Sequence, residues 1–246
     1  MDLKLKDKVA IVTGTGSQIG FGHAIALTLA KEGCHVAGFD LDGEGAEKTA
    51  AEIKKLGRKA TATKVDISNK EAVNAAVAAV VKEFGTIDIL VNDAGRSVPW
   101  SESIGYEVED YMKTMKVNFF GSFNMVKAVA PVMIEKKHGR IVNFSGGQNY
   151  PNDSAYGASK GAVDSWTMAL AKELLPKGIY VNLFLPPAAE TNLGTAHLPK
   201  GFWDKVKVNF PLKRLCTTQE VADVVTFMCS DINSYMNSQL IKLDVQ

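Results

Sequence analysis

Tyr156 and Lys160 stand four residues apart in Tyr156-Gly157-Ala158-Ser159-Lys160, a spacing that puts both side chains on one face of a helix. A free phenol has a pKa of about 10 and exchanges protons poorly at neutral pH. A neighbouring ammonium favours the phenolate and lowers that value. Such a phenol can take a proton from an alcohol, or give one to a carbonyl, while a hydride moves to or from a nicotinamide ring. Alone, the pair is a common surface arrangement. Its context makes it specific, because it follows a Gly/Ser-rich strand end, Asn143-Phe144-Ser145-Gly146-Gly147, in a chain with a second glycine-rich turn near its start.

That first turn reads Thr13-Gly14-Thr15-Gly16-Ser17-Gln18-Ile19-Gly20-Phe21-Gly22 and leads into His23-Ala24-Ile25-Ala26. Glycines let the chain turn sharply and bring backbone N–H groups to a pyrophosphate at a helix N-terminus. Gly14, Ser17, Gln18, Ile19 and Gly20 are the expected contacts. Asp40 closes the second apolar run about 20 residues on, where the ribose-binding acid of such turns sits. A carboxylate there accepts hydrogen bonds from ribose hydroxyls and repels a 2′-phosphate. No Arg or Lys lies in the turn or directly after Phe39, so the expected cofactor is NAD(H), not NADP(H). Asp66, with Ile67, ends a third run, either within reach of an adenine or simply as a helix-capping acid. Asn92-Asp93-Ala94-Gly95 ends a fourth, where small residues permit close approach to a ligand.

Short apolar runs alternate with helical patterns throughout. Val9–Thr13, His35–Asp40, Ala60–Val65, Ile87–Asn92, Arg140–Ser145, Ile179–Leu185 and Leu240–Leu243 read as strands, several without polar alternation, as in a parallel sheet covered on both faces. Helices are expected over Gly22–Glu32, Gly43–Leu56, Lys70–Phe84, Val108–Lys136 with a break near Asn118, Ser154–Leu175 and Gln219–Ser230. Gly33, Gly57, Gly85, Gly139 and Gly178 read as left-handed helix ends. Ser68, Ser154 and Thr218 read as N-caps, and Thr218 has Val221 where a capping box needs Glu or Gln. The pattern predicts one α/β domain over residues 1–246, a doubly wound parallel sheet of about seven strands. Pro186 to Pro211 is the least regular stretch and reads as a substrate loop. Trp100, Tyr150, Phe202 and Trp203 fall on segments that border the site or pack the core.

Composition narrows the class. The 246 residues carry 28 Lys and Arg against 27 Asp and Glu, which leaves no basic stripe for nucleic acid. No apolar run approaches the roughly 20 residues that span a bilayer, and no signal-peptide core follows the charged start. Cys34, Cys216 and Cys229 are isolated from one another, and the four His are scattered, so neither a disulfide framework nor a metal site is expected. A cytoplasmic protein acting on a small molecule, free of nucleic acid and membrane, is the expectation.

Over essentially its whole length the chain resembles the short-chain dehydrogenase/reductase family. The matching pieces are the Thr13/Gly14/Gly20 turn, Asp66, Asn92-Asp93-Ala94-Gly95, Asn118, Ser145, Tyr156-x-x-x-Lys160, Pro186 and Thr191. The resemblance implies a Rossmann-type fold and an alcohol dehydrogenase or carbonyl reductase acting between a secondary alcohol and a ketone. In it Tyr156 is the general acid/base and Lys160 lowers its pKa and binds the nicotinamide ribose. Ser145 orients the substrate oxygen, and Asn118 holds a water that relays protons. It also implies a homotetramer or dimer joined through the helices over Val108–Lys136 and Ser154–Leu175.

The chain departs from the family pattern in five places. Its glycine turn is longer by two residues, and Asp93 replaces an Asn. The usual serine position along the strand falls on Gly146, one beyond Ser145, with Asn149 and Ser154 as alternative donors. Pro187 replaces a Gly, and the end from Asn237 lacks the usual glycines. These changes keep open a second reading, a dinucleotide-binding or assembly protein without turnover.

Overall fold

The computed structural model describes residues 1–147 and 150–243. Apolar, β-branched runs build seven strands: β1 (Val9–Thr13), β2 (His35–Asp40), β3 (Ala60–Lys64), β4 (Ile89–Asn92), β5 (Gly139–Phe144), β6 (Ile179–Leu185) and β7 (Leu240–Lys242). All pair in parallel in one sheet, in the order β3-β2-β1-β4-β5-β6-β7. β1, β4 and β5 are buried along their whole length, which explains their lack of polar alternation.

Helices cover both faces. On one, α1 (Phe21–Lys31) and α9 (Thr218–Cys229) set Ile25, Leu29, Val221, Val225 and Met228 against Val12, Val91 and Phe184 of the sheet. On the other, α3 (Lys70–Phe84), α5 (Ser122–Glu135) and α6 (Ser154–Leu174) set Val77, Met125, Val129 and Leu174 against Ile11, Leu90 and Ile141. Strand order reverses between β1 and β4, and a crevice opens there beyond the carboxyl ends of the strands.

Helix boundaries fall within one or two residues of those read from periodicity. The break near Asn118 is a π-helical turn, Met115–Gly121, between α4 (Val108–Thr114) and α5. Together these form one run, Val108–Glu135, that has the length and composition to span a membrane, contrary to the expectation that no apolar run approaches that length. Its apolar character is explained by packing, since Met125, Val126, Val129 and Met133 lie in the core. The expected substrate loop contains two short helices, α7 (Asn192–Thr195) and α8 (Phe202–Val206); α2 covers Gly43–Lys55.

The caps needed correcting. Gly33, Gly57, Gly85 and Gly178 take positive φ as expected, but Gly139 opens β5, and Lys137 is the left-handed residue after α5. Asn69, not Ser68, caps α3, and Ser154 is the first residue of α6, after Asp153. The cap of α9 is Thr217. Its hydroxyl accepts the Glu220 N–H, and the Glu220 carboxylate accepts the Thr217 N–H at 2.8 Å, so the helix has the capping box that a start at Thr218 excluded. Arg214 grips the same carboxylate at 2.6 and 2.8 Å. Thr217→Ala will therefore lower unfolding stability by about 1 kcal/mol. Thr218→Ala will change it by less than about 0.5 kcal/mol; urea unfolding of both variants reads the difference.

Candidate active site

A cavity of about 780 Å³ occupies the crevice, within the usual size range of ligand sites. The glycine turn and the ends of β2, β3 and β4 line one part of it, and β5, α6 and the loop after β6 line the other.

The first part is built from close backbone approaches. A side chain on Gly22 would run into the Gly14 carbonyl, its Cβ 2.6 Å from the carbonyl carbon and 2.9 Å from the Thr13 oxygen. Gly14 takes φ +84°. Asp40 accepts the Gly16 N–H at 2.7 Å and the Asp42 N–H at 2.8 Å, which fixes its carboxylate at the cavity edge. The Ser17 hydroxyl is buried without a protein partner, at the turn where a phosphate oxygen would approach. These features fit a dinucleotide. Gly14, Ser17, Gly20, Asp40, Asp66, Ile67, Ala94, Gly95, Pro186 and Thr191 all line the cavity. Asp66 also accepts the Ser68 N–H, a turn contact ahead of α3 and not its cap, which is Asn69.

Three of the expected contacts are not among the lining residues. The Gln18 amide reaches away, donating to Gly16 O, Gly45 O and Thr49 Oγ1 at 3.0, 3.0 and 3.3 Å. Ile19 projects outward, 53% exposed. Asn92 is buried and donates to Asn143 Oδ1 at 2.8 Å, which joins β4 to β5 instead of facing a ligand.

In the second part Tyr156 and Lys160 share the inner face of α6. Lys160 Nζ donates to Phe144 O at 2.8 Å and lies 5.7 Å from the Tyr156 ring centre. Burial pushes its pKa down, against the opposing pull of Asp93 and Asp164. Burial pushes the Asp93 carboxyl up, against Lys160 and the Gly22 N–H that it accepts. The Tyr156 phenol is also raised above its ordinary value, by burial first and then by the charges of Asp153 and Asp93. The sequence expectation was a lowered phenol. The difference arises first from burial, which disfavours the phenolate, with the charges of Asp153 and Asp93 adding to it while the Lys160 ammonium is held at the end of β5.

The candidate serine positions point in different directions. A Cβ on Gly146 would lie 3.1 Å from the Tyr156 hydroxyl, so position 146 faces the phenol, and it carries no side chain. Ser145 lines the cavity one residue earlier, and its hydroxyl donates to Asp164 at 2.8 Å. Ser154 pairs with the Tyr111 hydroxyl at 2.9 Å, and Asn149 lies outside the described residues. Asn118 is not a lining residue. Its amide exchanges hydrogen bonds with the Arg96 backbone at 2.7 and 2.9 Å and donates to Ser159 at 2.8 Å, which ties the loop after β4 to α6.

Trp100, Tyr150, Phe202 and Trp203 all wall the cavity. One lining residue had no sequence signal. Asp153, three positions before Tyr156, reads as an ordinary helix-start acid. In the structure its side chain makes no capping bond, Oδ1 is buried without a partner, and burial lifts its pKa to about 6.

A parallel doubly wound sheet with a glycine turn, an acid after the second strand and a Tyr/Lys pair at the switch point defines a dinucleotide-dependent oxidoreductase. Residues 14–245 match the family model described as Enoyl-(Acyl carrier protein) reductase, and the chain belongs to the short-chain dehydrogenase/reductase family. It is 34% identical over 245 residues to the 3-oxoacyl-[acyl-carrier-protein] reductase of Thermotoga maritima, covering 98% of each chain. Among solved structures it is similar to an NAD⁺-bound xylitol dehydrogenase (31% identity, TM-score 0.89, 99% of this chain and 100% of that one). It is equally similar in fold to the 3-ketoacyl-(acyl-carrier-protein) reductase of Brucella melitensis complexed with NADH (35% identity, TM-score 0.89, 98% of each chain).

The close approach at the glycine turn is directly testable. Gly22→Ala forces backbone apart and will cost about 1–3 kcal/mol of stability. It will also weaken NADH binding at least about tenfold, which corresponds to about 1.4 kcal/mol; fluorescence titration of reduced cofactor measures the second effect.

Proposed function

We propose that this protein interconverts a secondary alcohol and a ketone with NAD(H) as cofactor, Tyr156 serving as general acid/base. The observation that carries the reading is the Tyr156 hydroxyl set in the cavity beside the open face of Gly146, with Lys160 buried behind it. A bound nicotinamide dinucleotide supplies the acceptor or donor of the hydride. Asp40 and the glycine turn hold its adenosine half, and Asp66 and Ile67 border the adenine. Ala94, Gly95, Pro186 and Thr191 border the remainder.

Tyr156 takes the hydroxyl proton as an alcohol is oxidised and returns it as a ketone is reduced. A phenol held above its ordinary pKa is protonated throughout the neutral range, which suits proton donation to a carbonyl. Lys160 holds its positive charge behind the ring. Asn118 acts by positioning, since it fastens α6 to the loop after β4. Ser145 acts at the same remove, steadying the β5 end through Asp164. The aromatic segment 186–211 closes over the substrate and limits water access within one catalytic domain, residues 1–246. The three thiols Cys34, Cys216 and Cys229 are free, which supports a reducing, cytoplasmic setting. Exposed Met112, Phe120 and Phe123 support assembly into a homo-oligomer through the α4–α5 face.

One observation favours the second reading, a binding protein without turnover: the phenol lacks a serine across from it. Incubation with NAD⁺ and a panel of secondary alcohols separates the two. Turnover that falls about 10²-fold or more in Tyr156→Phe, with NADH binding intact, supports the enzyme. Tight binding with no turnover on any alcohol or ketone supports the alternative.

Two further outcomes follow from the residues named. Oxidation requires the phenolate, whose fraction rises about tenfold per pH unit below the phenol's pKa, so kcat/KM for alcohol oxidation will climb from pH 6 to 9. Ketone reduction, which uses the protonated phenol, will stay level over the same range. For the cofactor, Asp40→Ala will shift the NAD⁺/NADP⁺ ratio of kcat/KM toward NADP⁺ by about tenfold or more, because the charge facing the 2′-phosphate is gone. A wild-type preference for NADP⁺ would overturn the NAD(H) assignment.

A further inference from the structure

The carboxyl of Asp153 has no structural occupation. It stands at the N-cap of α6, where an aspartate ordinarily accepts a backbone N–H from the first turn, yet it makes no such bond. The preceding Asn152 takes φ +64°, a left-handed conformation uncommon for a residue with a Cβ. Oδ1 is buried and unpartnered, and the residue lines the cavity beside Tyr156. A buried acceptor without a donor costs about 1–3 kcal/mol, so such groups concentrate at sites where a ligand completes them.

The neighbouring glycines explain how the carboxyl reaches that place. A Cβ on Gly147 would collide with the Tyr156 ring, at 2.6 Å from Cε1, and would lie 3.6 Å from Asp153 Oδ2. Tyr156 and Asp153 therefore border the same small volume, which the bare backbone of Gly146 and Gly147 leaves open. Position 146 carries no hydroxyl donor toward the substrate oxygen, and the Asp153 carboxyl stands near the same edge of the phenol ring.

We propose that Asp153 selects the substrate: it accepts a hydrogen bond from a second hydroxyl next to the reacting carbinol, so the preferred substrate is a vicinal diol or its hydroxyketone. The inference rests on the reading of Tyr156 given above and adds the substrate class. The second donor is a neutral hydroxyl and not an ammonium, because Trp100, Tyr150, Phe202 and Leu193 line the same cavity and an ammonium would have to shed its water to enter it. Bonding of the second hydroxyl holds the first against the Tyr156 oxygen, which replaces the anchoring a serine would give. A site built around such a bond discriminates strongly against an analogue lacking the group.

The test compares 2,3-butanediol with 2-butanol, with NAD⁺ as oxidant, in wild type, Asp153→Ala and Asp153→Asn. Wild type is expected to favour the diol by about 10²-fold in kcat/KM. Asp153→Ala is expected to bring that ratio to within about threefold of one, the loss falling on the diol. Asp153→Asn, which keeps an acceptor oxygen, is expected to recover part of the preference. NADH titration establishes that each variant is folded. A wild-type ratio close to one, or a ratio that survives Asp153→Ala, overturns the assignment while leaving the Tyr156 chemistry standing. Where neither alcohol is turned over, the Tyr156 reading is judged on the wider panel above and not on this pair. Calorimetric binding of the two alcohols to the protein–NAD⁺ complex then decides the role of Asp153 by the same ratio.

Discussion

A lysine ammonium at 3% exposure has to be met by acceptors and opposite charge, and much of the crevice is arranged to do so. Lys160 gives one hydrogen bond to the last carbonyl of β5 and faces Asp93 from the end of β4 and Asp164 from its own helix. Asp93 accepts the Gly22 N–H at the start of α1, and its Oδ2 lies 2.9 Å from where a Gly14 Cβ would be. One buried charge thus links the ends of the two central strands, the glycine turn and α6. The strand reversal between β1 and β4 opens the crevice; the lysine and its acids give its floor chemical character.

That arrangement explains why the phenol behaves differently from the sequence expectation. A lysine four residues along a helix lowers a tyrosine's pKa only if its charge is nearer the phenol than any negative charge and is not spent elsewhere. Here burial itself disfavours the phenolate, Asp153 and Asp93 act in the same sense, and the ammonium is anchored to Phe144 O. The exchange of one Asn for Asp93 therefore has consequences beyond its own position. It places a carboxyl group between the dinucleotide turn and the proton-transfer pair, so the electrostatics of the two halves of the cavity are joined.

The elements were legible because burial on both faces of a parallel sheet leaves short unbroken apolar runs, and helices facing it show a clear apolar stripe. Asp40 and the cavity-facing Tyr156 were legible for the same reason, since their positions follow from strand ends and helix period. Side-chain direction at irregular backbone was not. Gln18 and Ile19 sit in the longer turn, and nothing in their types shows that one folds back onto α2 and the other points outward. Asn118 lies in a π-helical turn that shifts the register by which its amide would be placed. Thr217 and Thr218 are adjacent hydroxyls, and only the three-residue spacing to Glu220 distinguishes the cap.

The hardest case, position 146, shows why a motif shifted by one residue is not a small change. Gly146 has φ +152° and Gly147 φ +59°, conformations that residues with a Cβ rarely adopt. The Tyr156 ring packs against this bare backbone, so a serine restored at 146 would need a different path for the chain after β5, not merely a new hydroxyl. Asp153, at the N-cap of α6, makes no capping bond with its carboxyl. Beside the phenol, then, position 146 offers no donor while position 153 offers an acceptor. Ser145, held by Asp164 on the strand just before, keeps the serine of the family pattern in the sequence while its hydroxyl is engaged elsewhere.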